Sequence, residues 1–160
     1  MPEKKTIERA KRDRRQGKAP STQAGEFVRE EIDHIREGKH GARNAKQAIA
    51  IGLSKARRAG VDLPAPKRAS KATKKQAARD AARSPRTKVS RTRSRAATKA
   101  LKRESTSAAS PGAIGRQTKR AAKRRTASER STAAKKAVRT KGPAKRKAAA
   151  RKAARTRARQ

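Results

Sequence analysis

Ala24, Phe27, Val28, Glu31, Ile32 and Ile35 fall at i, i+3, i+4, i+7, i+8 and i+11, the spacing of one buried helix face interrupted only by Glu31. Acidic residues occupy the opposite side. Pro20-Ser21 precedes this stripe, with Ser21 or Thr22 placed to cap the helix start. Gly38-Lys39-His40-Gly41 then breaks the helix. Asn44, with Gln47 three residues on, makes a capping-box start to a second helix, on which Ala45, Ala48, Ile49, Gly52, Leu53 and Ala56 repeat the spacing. Gly60 suits the left-handed position after its last turn, Val61 is placed to touch Ala56, and Pro64 prevents continuation.

The two stripes predict a helical hairpin, about residues 22–37 and 45–59, in which Phe27, Val28, Ile32 and Ile35 face Ile49 and Leu53. Gly52 is small enough to let the helices approach closely. A module of roughly forty residues is near the size at which a fold needs association or another staple, so the hairpin is a candidate for homodimerisation. Upstream, residues 3–16 can form a short polar helix with Ile7 and Ala10 as apolar anchors.

Beyond Leu63-Pro64-Ala65-Pro66 the pattern changes character. Residues 65–160 are low-complexity Ala-Ala-Lys/Arg steps mixed with Ser, Thr and Pro, such as Lys147-Ala148-Ala149-Ala150-Arg151-Lys152. Ser84-Pro85, Ser110-Pro111-Gly112 and Gly142-Pro143 cut this tail into pieces rich in helix formers. Alanine buries too little surface to offset the backbone entropy of ordering, and like charges repel, so the tail is expected to stay disordered or only transiently helical until phosphates neutralise it. The expected fold class is therefore mainly α: a polar N-terminal segment (1–19), a hairpin module (20–64) and a long basic tail (65–160).

Charge sharpens that division. The chain has 50 Lys plus Arg against 12 Asp plus Glu, a formal net charge of +38. Residues 1–64 carry 16 cations and 9 anions, whereas residues 65–160 carry 34 and 3. A compact state at such a charge calls for a polyanionic partner. Duplex DNA presents about one charge per 1.7 Å of axis, so a surplus of 31 would balance roughly 50 Å of it. The absence of Cys removes disulfides, thiolate nucleophiles and cysteine metal sites. No signal-peptide core and no span of about 20 apolar residues is present, which points to an intracellular protein.

The stretch Lys46-Gln47-Ala48-Ile49-Ala50-Ile51-Gly52-Leu53-Ser54-Lys55-Ala56-Arg57-Arg58-Ala59-Gly60 resembles the signature of a family of small, basic, uncharacterised bacterial proteins. The resemblance covers about residues 20–64; it implies a bacterial source and carries no activity or site residues. The tail resembles, by composition, linker-histone tails and the Lys/Ala-rich histone-like proteins of bacteria. That likeness implies sequence-independent DNA binding in the cytoplasm, associated with the nucleoid.

The candidate nucleic-acid-binding residues follow from the clusters of basic side chains. They are Lys55, Arg57 and Arg58 on the second helix; Lys74, Lys75 and Arg79; Arg91, Arg93 and Arg95; and Lys119, Arg120, Lys123, Arg124 and Arg125. Farther along come Lys135 and Lys136, then Lys145, Arg146 and Lys147, and finally Arg151, Lys152, Arg155, Arg157 and Arg159. A flexible basic tail neutralises phosphates but cannot hold side chains rigidly at base edges, so recognition is expected to ignore sequence. With Phe27 the only aromatic residue, there is no stacking platform for single strands, so a duplex or structured RNA is preferred over single strands, with duplex DNA the favoured partner. A basic arm threading among RNA phosphates, as in a ribosome-associated protein, is the alternative.

Other chemistries fit less well. A helix-turn-helix duty for the second helix, which also carries Lys46, conflicts with the long loop from Gly38 to Arg43. Glu31 and His34 have the Glu-x-x-His spacing of di-metal bundles, but only one copy is present; a solvated helix face is expected, with His40 a turn residue and no metal or cofactor. The acidic side of the first helix, Glu26, Glu30, Asp33 and Glu37, is placed to fold back on the tail and compete with DNA. Ser and Thr beside Arg, as in Arg83-Ser84-Pro85 and Arg125-Thr126, are candidate phosphorylation sites that would loosen DNA. No membrane-anchoring apolar face and no catalytic constellation are visible, so a non-enzymatic protein is expected.

Overall fold

Both apolar stripes become helices in the computed structural model, which describes residues 2–66, 69–82 and 90–158. In chain order the helices are α1 (Lys4–Arg15), α2 (Pro20–Arg36), α3 (Ala45–Arg58), α4 (Lys71–Ala82), α5 (Arg91–Lys102), α6 (Pro111–Lys123) and α7 (Ala127–Arg157). A single 3-10 turn, Thr106–Ala109, sits between α5 and α6, and no strand occurs among the described residues. Two compact units divide the chain, residues 1–117 and residues 118–160.

The first unit is built around α2 and α3. Their start and stop signals act locally. Pro20 takes the first helical position of α2 after Ala19, without a side-chain cap from Ser21 or Thr22. Asn44 Oδ1 accepts from the Gln47 amide at 2.9 Å, and the Gln47 side chain reaches back one residue further than a capping box, to the Arg43 amide at 2.8 Å. Gly60 closes α3 at φ +87°, while the Val61 amide returns to the Ala56 carbonyl at 3.1 Å and the Val61 side chain is buried beside Ala56.

Two small apolar clusters hold the unit together. Ala10 of α1, Ala24 and Phe27 of α2, Ala56 of α3 and Val61 form one, with Ile7, Leu53, Ala59 and Leu63 packed against it. Ile35 of α2, Ala42, Ala48 of α3, and Ala108 and Ala109 of the 3-10 turn form the other, with Ile32 alongside. Phe27 and Ile35 are almost completely buried, whereas Val28, Ile32, Ile49 and Leu53 stay half-buried. Alanine dominates both clusters, so burial depends on backbones coming close. A Cβ on Gly52 would lie 2.6 Å from the Val28 Cα, and one on Gly41 would lie 1.9 Å from the Glu104 carbonyl oxygen. These two glycines mark where α3 meets α2 and where the loop after α2 meets the chain following α5.

The tail corrects the expectation of a hairpin followed by a disordered or transiently helical segment. Residues 69–158 are largely helical where described. Ala, Lys and Arg are among the strongest helix formers, and a like-charge pair at i, i+4 costs only a few tenths of a kcal/mol, so propensity summed over a dozen residues outweighs local repulsion. The starts of α6 and α7 are also capped. Ser110 Oγ accepts from the Ala113 amide at 3.2 Å ahead of α6, and Thr126 with Glu129 forms a full capping box on α7. Pro111 begins α6 instead of interrupting it, and Gly142, at φ +65°, with Pro143 kinks α7. Ser84-Pro85 lies outside the described residues.

Part of the tail is also core. The Gly41 and Ala42 amides donate to the Leu101 and Ser105 carbonyls at 2.9 and 3.1 Å, and Arg36 Nε donates to the Ala109 carbonyl at 3.0 Å. Ala108 and Ala109 thereby cover Ile35 and Ala48. Local sequence pattern does not reveal this cover, because Ala108-Ala109 is indistinguishable from the other Ala pairs of an Ala-rich tail.

Two substitutions of the same kind should act in opposite directions. Gly52→Ala forces a Cβ against the α2 backbone and should cost roughly 1–3 kcal/mol. Gly25→Ala, at an exposed position inside α2 with open space around it, should stabilise by about 0.5–1 kcal/mol. Urea denaturation followed by circular dichroism reads both.

Candidate nucleic-acid interface

Three basic residues of α3, Lys55, Arg57 and Arg58, turn toward the protein, while Lys46 is exposed. Lys55 Nζ lies 3.7 Å from Glu30 Oε1 and 2.5 Å from Glu31 Oε2, with both carboxylate side chains at most 2% exposed. Arg57 is buried and donates through Nε to the Leu63 carbonyl at 2.9 Å, tying down the chain after α3. Arg58 Nε donates to the Ser54 carbonyl at 3.4 Å and stands 4.0 Å from the buried carboxylate of Asp80 on α4. These three candidates are therefore engaged in the first unit's own structure. The position of Lys55 follows from Glu31, the polar interruption in the α2 stripe: a carboxylate on an inward face needs a cation from the helix packed against it.

The acidic side of α2 is likewise occupied. Glu26 Oε2 pairs with Arg9 Nε at 3.0 Å, Asp33 lies 3.9 Å from Arg29, Glu37 lies 2.8 Å from Lys39, and Glu30 Oε2 accepts from the Glu3 amide at 3.2 Å. The anions that the sequence offered to the tail thus bind α1, α2 and α3. Glu3 meets His34 Nε2 at 2.9 Å, and this hydrogen bond, aided by Lys39, holds the Glu3 carboxyl below its usual range; the hydrogen bond to Glu37 raises the Lys39 ammonium above its own.

The remaining candidates among the described residues are exposed. Lys74, Lys75 and Arg79 are exposed on α4, and Arg91, Arg93 and Arg95 on α5. A shallow groove of about 500 Å³ runs along α5, lined by Ser94, Arg95, Thr98, Lys99, Lys102 and Arg103. Arg95, Lys99, Lys102 and Arg103 stand at i, i+4, i+7 and i+8, one helix face. Of these, only Arg95 is expected from local clustering. The other three become visible once the segment is read as a helix, since the spacing itself is present in the sequence.

In the second unit, Lys119, Arg120, Lys123, Arg124 and Arg125 are exposed at the end of α6 and in the turn that follows. On α7, Lys135 and Lys136 precede the Gly142 kink, and Lys145, Arg146, Lys147, Arg151, Lys152, Arg155 and Arg157 follow it, all exposed. Arg159 lies outside the described residues. At 1.5 Å per residue, the arm after the kink spans roughly 22 Å and carries those cations around its whole circumference, with Lys147, Arg151 and Arg155 in one i, i+4, i+8 row. It has no apolar stripe. Val138 is the one large apolar side chain exposed among the described residues.

Such an arm presents point charges and flexible donors to any phosphate lattice. It offers no enclosed pocket for a small substrate. No helix among the described residues is long and apolar enough to cross a membrane. Histidine and carboxylate donors do come together elsewhere: Glu31, His34 and His40 place one ligand atom each within 4.8 Å of one another. Glu31 and His34 are thus not on a solvated face, because Glu31 is almost fully buried.

If Lys55 serves the interior, Lys55→Met should lower stability by about 3 kcal/mol by leaving buried carboxylates without their cation. The salt dependence of nucleic-acid binding should not change, which titrations at several salt concentrations would check. No family model, curated protein or solved structure matches the chain.

Proposed function

We propose that this protein binds duplex DNA without regard to sequence, as a histone-like, nucleoid-associated protein, through the exposed cations of α4 to α7. The observation that carries the reading is the distribution of charge: residues 65–160 hold 34 Lys/Arg against 3 Asp/Glu, and the candidate cations described on α4 to α7 are exposed. Roughly 22 Å of duplex axis, the length of the α7 arm beyond its kink, carries about 13 phosphate charges. Seven cations on that arm, Lys145 through Arg157, neutralise about half of them. A helix about 10–12 Å across with its side chains also matches the width of the major groove, about 12 Å.

Binding of this kind draws its free energy from counterion release, and it compacts DNA by removing phosphate repulsion. Exposed cations along a helix neutralise phosphates without fixing a side chain at one base edge, so affinity is uniform along the duplex. The resemblance of the tail to Lys/Ala-rich histone-like proteins agrees with this reading, and RNA binding is its competitor.

Mobility-shift titrations on unrelated duplexes should give one common affinity that falls steeply with salt. Changing Lys145, Arg146, Lys147, Arg151 and Lys152 to Gln should make the slope of log K against log salt shallower by about 4. Binding that survives about 1 M salt, or that requires one sequence, would refute the proposal. Crosslinking in cells that recovers mainly ribosomal RNA would refute it in favour of the competitor.

A further inference from the structure

We infer that Glu31, His34 and His40 form a binding site for a divalent transition-metal ion. His40 supplies the first reason. Its Nδ1 lies 3.0 Å from the Gly41 carbonyl oxygen, which can only accept, so Nδ1 carries the proton. In the neutral ring Nε2 is then a bare lone pair, and it sits 3.2 Å from Oε1 of Glu31, a carboxylate 1% exposed. Two lone pairs do not face each other at that distance without a cation between or upon them. A backbone carbonyl holding one imidazole nitrogen while the other faces a carboxylate is the arrangement by which proteins orient a metal-binding histidine.

The second reason is convergence from separate elements. Glu31 and His34 lie one turn apart on α2, and His40 comes from the loop that follows. That loop is not free to swing, because the amides of Gly41 and Ala42 are bonded to Leu101 and Ser105. The His34 and His40 rings meet edge to face, with centroids 6.3 Å apart. All three donor atoms lie within 4.8 Å of one another. Bonds of about 2.0–2.2 Å to a tetrahedral ion place donors about 3.3–3.6 Å apart, so closure needs only a small rotation of the two rings. Glu3, whose Oε1 is hydrogen-bonded to His34 Nε2 at 2.9 Å, holds the second ring in place.

Electrostatics and donor chemistry narrow the ligand. In a chain of net charge +38 a cation is admitted only where anions outnumber their partners, and here the buried carboxylates of Glu30 and Glu31 share a single inward ammonium, Lys55. Lys55 contacts Glu31 Oε2, leaving Oε1 for monodentate ligation. Two imidazoles with carboxylate oxygen suit Zn²⁺, Co²⁺ or Ni²⁺, whereas Mg²⁺ and Ca²⁺ take oxygen donors. A bound ion would join α2 to the loop held by residues 101–105 and so stabilise the first unit by mass action.

The chain contains only two histidines, which makes the test direct. Untagged full-length protein is stripped with a chelator and titrated with Zn²⁺ while the imidazole nitrogens are followed by long-range ¹H–¹⁵N NMR. The nitrogen resonances of both imidazoles should shift together and saturate at one equivalent. Co²⁺ should produce the visible absorption of a tetrahedral site, displaced by Zn²⁺, and His34→Gln and His40→Gln should each abolish it while keeping the wild-type helical circular dichroism. Unmoved imidazole resonances in the wild-type chain, or a shift of only one, would overturn the site. So would Co²⁺ absorption that persists in both variants.

Discussion

Positive charges repel, and any ordered form of this chain has to separate or neutralise a surplus of 38 of them. The structure meets that constraint by spending its few anions where helices pack. Asp13, Glu30, Glu31 and Asp80 are all buried, and each lies beside a cation or an amide of the first unit. Anions used in this way hold α1, α3 and α4 in place. They are no longer available to quench the candidate cations described on α4 to α7, which remain exposed. The same allocation thus produces the fold and the surface.

Small side chains make the second contribution. A core rich in alanine buries little area per residue, so its cohesion comes from close backbone approach, as at Gly52 against Val28 and Gly41 against Glu104. Close approach brings polar groups of different elements into register. The Arg36 bond to Ala109 and the pinned loop around His40 both follow from it. The candidate metal site is a further product of that loop: the contact that closes the second apolar cluster also carries an imidazole to a buried carboxylate.

Much of the hairpin was legible because its signals are local. A stripe repeating every three or four residues specifies a helix face, Asn44 and Gln47 announce a start, and Gly60 with Pro64 announces a stop, whatever the remaining chain does. Propensity is legible too: Ala, Lys and Arg favour helix by more than like-charge pairs at i, i+4 oppose it, which is why the tail is largely helical where described. Among the phosphate-binding candidates, exposure on α4 to α7 matches their clustering in sequence. Lys55 and Arg57 look the same as the others in sequence and differ only because α3 packs against an acidic helix.

By itself the sequence determined the two amphipathic helices, their ends, and the segregation of charge between the halves, since each depends on neighbours within a few positions. Tertiary structure alone decided that Ala108 and Ala109 cap Ile35, that Lys55 serves Glu31 rather than a phosphate, and that His40 meets Glu31. Those are contacts between distant segments. An alanine-rich chain offers many nearly equivalent partners at long range, and only the geometry of packed backbones selects among them.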